Sequence, residues 1–294
     1  MFFPLKDNMP KVTFPIVTYV LIALNVAIYF MATSNPLAAQ DAAIFYGVIP
    51  LEVVKPGIQC VPAPDMSRMI CGSDAEIAAI YPTLQLPATW VTVATSMFLH
   101  GGLFHLISNM LFLFVFGGAL ENALGRLSFS MFYFVGGVAA VLGQTFWDTA
   151  ATTPMVGASG AIASVLAGYL VLFPSAKILS LFIIFPVRVR AVWVIGTWIG
   201  IQFIDAYIAA GAGISAGVAY WAHIGGFAAG AALTYLIVNR EQITAFRREA
   251  RVVSGLMVEP LEPYEPEVNR YQPPPPPIVP ADPFAPQAQQ PPAG

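Results

Sequence analysis

Six long apolar runs dominate the hydrophobic pattern of this chain, at about residues 15–33, 103–120, 127–147, 157–173, 191–210 and 219–238. An α-helix rises about 1.5 Å per residue, so about 20 apolar residues cross a hydrocarbon core of about 30 Å. The pattern therefore predicts an all-α integral membrane protein, a bundle of six transmembrane helices. The fourth run is short, so the helix is expected either to tilt less or to start below the membrane surface, which would set its first residues in a recess. The first run reads as a retained span, because Ala32-Thr33-Ser34 is a poor imitation of a leader cleavage site.

The connections divide the rest of the chain. Residues 1–14 read as a short tail, and 15–239 as the membrane domain. Within it, 34–99 holds Pro36, Pro50, Pro56, Pro62, Pro64, Pro82 and Pro87. This stretch is too long for a simple connection and too apolar in places for disorder, so it reads as a long outer loop lying partly in the interface. Residues 240–255 form a basic segment, read as a surface helix or as a charged stop that keeps the sixth helix from sliding. From 256 to 294 proline dominates, including Pro273 to Pro277, which predicts a disordered tail of polyproline character. A partner with a proline-reading groove is one reading of that tail, and a passive tail is the favoured one.

Composition narrows the class. Only 10% of residues are charged, against about 25% in soluble domains, and the mean hydropathy is +0.71. A net charge of −3 gives no basic excess for nucleic acid. Six spans place both termini on one side, together with Lys6, Lys11, Arg126, Lys177, Arg188, Arg190, Arg240, Arg247, Arg248, Arg251 and Arg270. Only Lys55 and Arg68 fall on the other side, so the eleven-to-two split accounts for all 13 cations. The positive-inside rule then predicts cytoplasmic termini, in a plasma membrane or a bacterial inner membrane. Cys60 and Cys71, the only cysteines, fall in the outer loop, where a disulfide is plausible; with the reverse orientation they would be two free thiols.

Candidate chemistry collects at the outer ends of the spans. Gly160, Ser164 and Gly168 recur at four-residue spacing, as do Ala222, Gly226 and Gly230. Each row is a small-residue face that lets two helices approach closely. If the rows face each other, Ser159 meets His223. Serine is a weak nucleophile until a base takes its proton, and neutral imidazole suits that task. A hydrogen bond that merely bridges two helices is the plainer reading of a histidine in a span. His105 and Asn109, four apart, share a face of the second helix, where they are donors for a developing oxyanion or partners for a neighbouring helix. His100 reads as interfacial. There is no H-E-x-x-H motif and no lysine near Ser159. No metal and no cofactor is expected.

In this arrangement the chain resembles the rhomboid family of intramembrane serine proteases, over about residues 100–230. His105-x-x-x-Asn109, preceded by His100-Gly101, is similar to the second-span motif, and Glu121 with Leu124-Gly125 to the turn that follows it. Gly157-x-Ser159-Gly160 resembles the catalytic-serine motif. Ala222-His223-x-x-Gly226-x-x-x-Gly230 resembles the catalytic-histidine motif. The resemblance implies a six-span core with Ser159 as nucleophile and His223 as base. It implies an oxyanion site from Asn109, His105 and the Ser159 backbone, shaped by Gly157. It also implies a mobile fifth span, with Trp193, Trp198 and Phe203 as gate or lipid-facing groups. Ala163 stands where some members carry a tyrosine, so the resemblance names no group that orients His223, and no third triad member is read. Val218, beside Gly217, stands where a glycine often precedes the histidine. The expected activity is cleavage of single-span membrane proteins near the outer face of the bilayer. The alternatives are a catalytically silent relative that binds membrane proteins, or a transporter with an outer polar site.

Overall fold

The computed structural model describes residues 2–34, 42–212 and 218–256. The proline-rich tail beyond 256, part of the loop expected on the outer side and the stretch before the sixth apolar run lie outside the described residues. In chain order the elements are strand β1 (Phe2–Asp7), helix α1 (Ile16–Ala32), α2 (Pro50–Val54), strands β2 (Ile58–Pro62) and β3 (Met69–Ser73), α3 (Asp74–Ile80) and α4 (Thr89–Thr95). Helix α5 (Leu103–Leu124) carries a wider π turn over Leu113–Gly117. Then follow α6 (Arg126–Trp147), α7 (Ser159–Leu172), strands β4 (Lys177–Phe182) and β5 (Phe185–Arg190), α8 (Ala191–Ala212), α9 (Tyr220–Ile237) and α10 (Arg240–Val253).

The protein is mostly helical, with helices at all six apolar runs. Among the described residues, Leu103–Leu124, Arg126–Trp147 and Ala191–Gly211 are long and apolar enough to cross a membrane. Helices α9 and α10 make a fourth candidate if the pair, bent by 112°, is taken as one. Helices α1 and α7 are apolar but shorter, at 17 and 14 residues. The expectation of a purely α-helical chain is corrected by two antiparallel sheets, β1-β4-β5 and β2-β3. Residues 2–7, expected in a tail, form the edge strand of the first. The signal in 177–190 was the period-two alternation of Lys-Ile-Leu-Ser-Leu-Phe and Phe-Pro-Val-Arg-Val-Arg, which suits a strand half buried on one face.

Helices α6, α7 and α9 pack most intimately, and small residues are the reason. A Cβ added to Gly226 would run into the Gly160 carbonyl, and one on Gly230 into the Ser164 backbone. Gly160 in turn lies against Ala140, and Gly136 against Ser164. Helix α7 is buried along nearly its whole length, from Gly160 to Leu172. Its far end is fixed by three attachments. The Arg247 Nε of α10 donates to the Val171 carbonyl (2.9 Å). Phe246 packs on Phe173 with ring centroids 5.6 Å apart. The Tyr169 hydroxyl donates to Asp7 of β1 (3.3 Å). Asn8 extends this junction, accepting from the Lys177 N–H (2.8 Å) and donating to the Val253 carbonyl (3.3 Å).

Helix α1 is capped from another element. Glu121, buried at the end of α5, accepts from the Val17 N–H (3.0 Å), the Thr18 N–H (2.8 Å) and the Thr18 hydroxyl (2.7 Å). First-turn N–H groups have no intrahelical acceptor, so a carboxylate there satisfies donors that burial would otherwise leave unpaired.

The segment between α1 and α5 is organised around a disulfide. Cys60 and Cys71 face each other across β2 and β3 and are bonded. Glu52 of α2 accepts from the Cys60 N–H (2.7 Å). The start of α2 is tied to the stretch before α7, with the Leu51 N–H donating to Ala151 O (3.1 Å) and Val48 pairing with Met155. The disulfide-closed hairpin thus braces the polypeptide that leads into Ser159.

Two outcomes follow from this packing. Gly226→Val is expected to lower the apparent Tm by several degrees or to abolish folding. Overpacking costs about 1–3 kcal/mol even where side chains can move, and here the obstacle is backbone; a thermal melt in detergent checks it. Asp7 supplies a pH dependence. Burial raises its carboxyl above 3.8, against the lowering effects of Lys11 and Tyr169. The folded state therefore holds this proton to higher pH than the unfolded state. Stability from this group falls as pH rises from about 3.8 through the raised value. Melting wild type and Asp7→Asn across pH 4 to 7 is expected to show a smaller decline in the variant.

Candidate active site

Ser159 is the first residue of α7, and local sequence puts it there. Gly157 has φ +131°, a conformation that side chains disfavour, and its N–H donates to the Ser96 carbonyl (2.8 Å). This turn brings the chain round so that the helix starts at Ser159. The first intrahelical bond runs from the Ile162 N–H to the Ala158 carbonyl (2.9 Å). The N–H groups of Ser159, Gly160 and Ala161 precede it, at the positive end of the helix.

His223 lies in the first turn of α9. The close contact of α7 with α9 sets its Nε2 2.7 Å from the Ser159 Oγ. Its Nδ1 is 2.6 Å from Oε1 of Gln202, on α8. The Gln202 Nε2 donates to the Trp198 carbonyl (3.5 Å), which assigns Oε1 as the atom facing the imidazole. An amide oxygen only accepts, so the ring hydrogen sits on Nδ1 and the Nε2 lone pair faces the serine hydroxyl. Trp198 also packs on the imidazole, ring centroids 5.6 Å apart, and on Phe112 at 6.3 Å. The aromatic contact to His223 thus comes from α8, where the resemblance offered a position on α7, occupied here by buried Ala163.

His105 of α5 closes the other side. A Cβ on Gly157 would meet the His105 Cε1 at 2.8 Å, its Nε2 at 2.9 Å and the Ser159 Oγ at 3.5 Å. The His105 ring and the serine hydroxyl therefore share one side of Gly157. His100 sits edge-on to His105, with centroids 5.1 Å apart. Asn109, buried one turn further along α5, keeps to its own helix, where its Nδ2 donates to the His105 carbonyl (2.9 Å). The other Nδ2 hydrogen is not used by that bond.

Two cavities adjoin these residues. One of about 500 Å³ is lined by His105, Gln144, Trp147, Pro154, Tyr220 and Trp221, among others. Trp147 and Trp221 stack at its rim, with centroids 4.0 Å apart. A pocket of about 40 Å³ lies beside the serine, bounded by Met97, Ala140, Val156, Gly157, Ser159 and Gly160.

The structure thus brings Ser159, His223, His105 and Gly157 together. Cys60 and Cys71 lie apart from them in the β2–β3 hairpin. Among the proposed gate residues, Trp193 and Phe203 are exposed on α8, while Trp198 turns inward to His223. Gln202 is the member that sequence reasoning missed. Its signal was a lone amide within the apolar fifth run, the same kind that singled out Asn109.

Residues 87–240 match the family profile of the rhomboid domain, slightly more than half of the chain. Similar proteins carry the same family name. The mitochondrial Rhomboid protein 1 of Saccharomyces cerevisiae is 32% identical over 170 residues, 50% of this chain and 47% of that protein. RHOMBOID-like protein 4 of Arabidopsis thaliana is 32% identical over 143 residues, 48% of this chain and 32% of that protein. The rhomboid protease AarA of Providencia stuartii is 28% identical over 166 residues, 51% of this chain and 48% of that protein. The chain spans less than half the length of these relatives.

Proposed function

The chain belongs to the rhomboid family, and from that premise we propose that it is an intramembrane serine endopeptidase that cuts membrane-protein substrates. The observation that carries this reading is the continuous hydrogen-bonded series Ser159 Oγ, His223 Nε2, His223 Nδ1 and Gln202 Oε1. Ser159 is the nucleophile and His223 the base. As Oγ attacks the scissile carbonyl, its proton passes to Nε2, and the imidazolium then gives that proton to the leaving amine. An acyl-enzyme remains on Ser159. Water, deprotonated by the same Nε2, releases it and restores the hydroxyl.

The developing oxyanion needs donors that are already in place. The Ser159 N–H at the helix start, the His105 ring and the free Asn109 amide hydrogen supply them, with Gly157 keeping the approach open. The Gly157 N–H is committed to Ser96 and is not one of them. Gln202 is a positioning residue: it selects the imidazole tautomer that leaves Nε2 unprotonated. A neutral amide does this without adding a carboxylate to the site. The pocket of about 40 Å³ beside Ser159 admits a group little larger than a methyl, which favours a small residue next to the cut.

In this reading residues 15–239 form a six-span membrane protease domain with both termini in the cytoplasm. Helix α7, about 21 Å long by its 14 residues, starts below the outer surface. Single-span proteins then offer segments that unwind near the outer face, in a plasma or bacterial inner membrane. The Cys60–Cys71 bond suits the oxidising side of such a membrane.

Labelling with a fluorophosphonate probe tests the nucleophile. Wild type is expected to react and Ser159→Ala is not; equal labelling of the two would end the protease reading. Gln202→Met keeps the length but removes the acceptor. Leaving the buried Nδ1–H unpaired costs about 1–3 kcal/mol, so kcat on a transmembrane substrate is expected to fall roughly 10- to 100-fold. KM should change little. Gln202→Glu, which keeps an acceptor, should recover most of the rate, whereas a merely structural role would make both variants alike.

A further inference from the structure

The hairpin β4–β5 links the end of α7 to the start of α8 at the end of the bundle opposite Ser159. Its strands leave little slack. Helix α8 begins at Ala191, directly after β5 ends at Arg190, and the Ala191 N–H donates to the Ala176 carbonyl (2.8 Å). The base of the hairpin is thereby fastened to two helix ends. One face of the sheet lies on the protein, with Ile178 and Ser180 buried and Val187 and Val189 half-buried. Ile178 joins the same apolar core as Ala176, Ala191 and Val194.

The other face and the tip differ from everything around them. Register pairs Lys177 with Arg190, and Leu179 with both Lys6 and Arg188, so four cations share the outward face. Asp7, the acid of β1, pairs with Ile178 and is buried on the inner side. Among the described residues none of the four cations makes an ion pair. The tip is Phe182-Ile183-Ile184-Phe185, with exposures of 46%, 78%, 74% and 64%. Ile183 holds a positive φ of 60°, which turns the chain there, and Phe2 lies 5.3 Å from Phe182, ring to ring. Exposed apolar side chains on the long helices face lipid by construction. This tip belongs to no membrane-crossing run, yet it exposes four large apolar groups in succession.

We propose that the β4–β5 tip inserts into the headgroup layer of the leaflet at this end of the bundle, with Lys6, Lys177, Arg188 and Arg190 binding anionic lipid headgroups. The two features are spaced for it. Arg188 is three residues from Phe185, about 10 Å along a strand, so cations sit at phosphate level while the tip reaches the acyl boundary. An apolar edge beside unpaired cations matches an anionic interface better than either water or a neutral protein surface. The proposal does not depend on peptidase activity.

Depth-resolved fluorescence tests it on the full chain in vesicles. The native cysteines are bonded to each other, so Ile183→Cys gives one thiol for an NBD label, with Ser67→Cys in the exposed outer loop as control. Position 183 is expected to emit further to the blue than position 67. It should lose about half its emission to lipids spin-labelled shallowly, about 5–10 Å into the boundary. Adding Arg188→Glu and Arg190→Glu should reduce the quenching in phosphatidylglycerol-containing vesicles and leave it unchanged in pure phosphatidylcholine. Emission and quenching equal to position 67 would overturn the proposal. So would an NBD signal that responds to dilution of the protein in lipid and not to the spin label, which would point to a second copy of the chain.

Discussion

The close approach of α7 and α9 governs this molecule. Where a side chain would stand on Gly226, the Gly160 carbonyl stands already, and Gly230 meets the Ser164 backbone in the same way. Without a hydrophobic drive between helices in lipid, such backbone contact lets dispersion and shape complementarity hold the helices together. It also sets the register between the two helices. The 2.7 Å separation of Ser159 and His223 follows from that register, because neither side chain can span a wider gap. Extra bulk in the glycine rows would part the helices, and the hydrogen bond would go with the packing.

Much of this was visible in the residues. Small side chains at every fourth position announce close helices, and a serine and a histidine at the same end of two such rows announce a meeting. What stayed hidden depends on contacts between distant segments. Gln202 stands out as a lone amide in an apolar run, but only the rotation of α8 about its axis decides whether it faces lipid or the imidazole. Strand β1 reads as a tail in the sequence because six residues with one proline carry little signal alone; its partner β4 lies some 170 positions away, as the pairing of Asp7 with Ile178 shows. The hairpin itself alternates clearly, but a loop between apolar runs invites no search for strands. The segment before α5 shows no period that announces its order, because that order comes from pairings such as Val48 with Met155.

The attachments of α7 form a consistent set. Its start is set by the Gly157 turn and the braced segment before it, and its end by Arg247, Phe246 and the Asp7–Asn8 junction. The helix that begins at Ser159 is therefore held at both ends and buried between. The N-terminal strand, remote from the chemistry in sequence, helps fix its depth.

Helix α8 is different in kind. It exposes Trp193, Phe203, Ile204, Tyr207 and Ile208, and rests on the bundle along one side. Yet it supplies both groups that hold the imidazole, the Gln202 amide and the Trp198 ring. A donor and acceptor parted to about 3.6 Å no longer form a hydrogen bond. Any outward swing of α8 wide enough to admit another helix would therefore release the imidazole. On the proposed reading, widening the cleft and readying the base are opposed states of one helix, and a polypeptide threads in with α8 nearly shut or waits for it to close again behind.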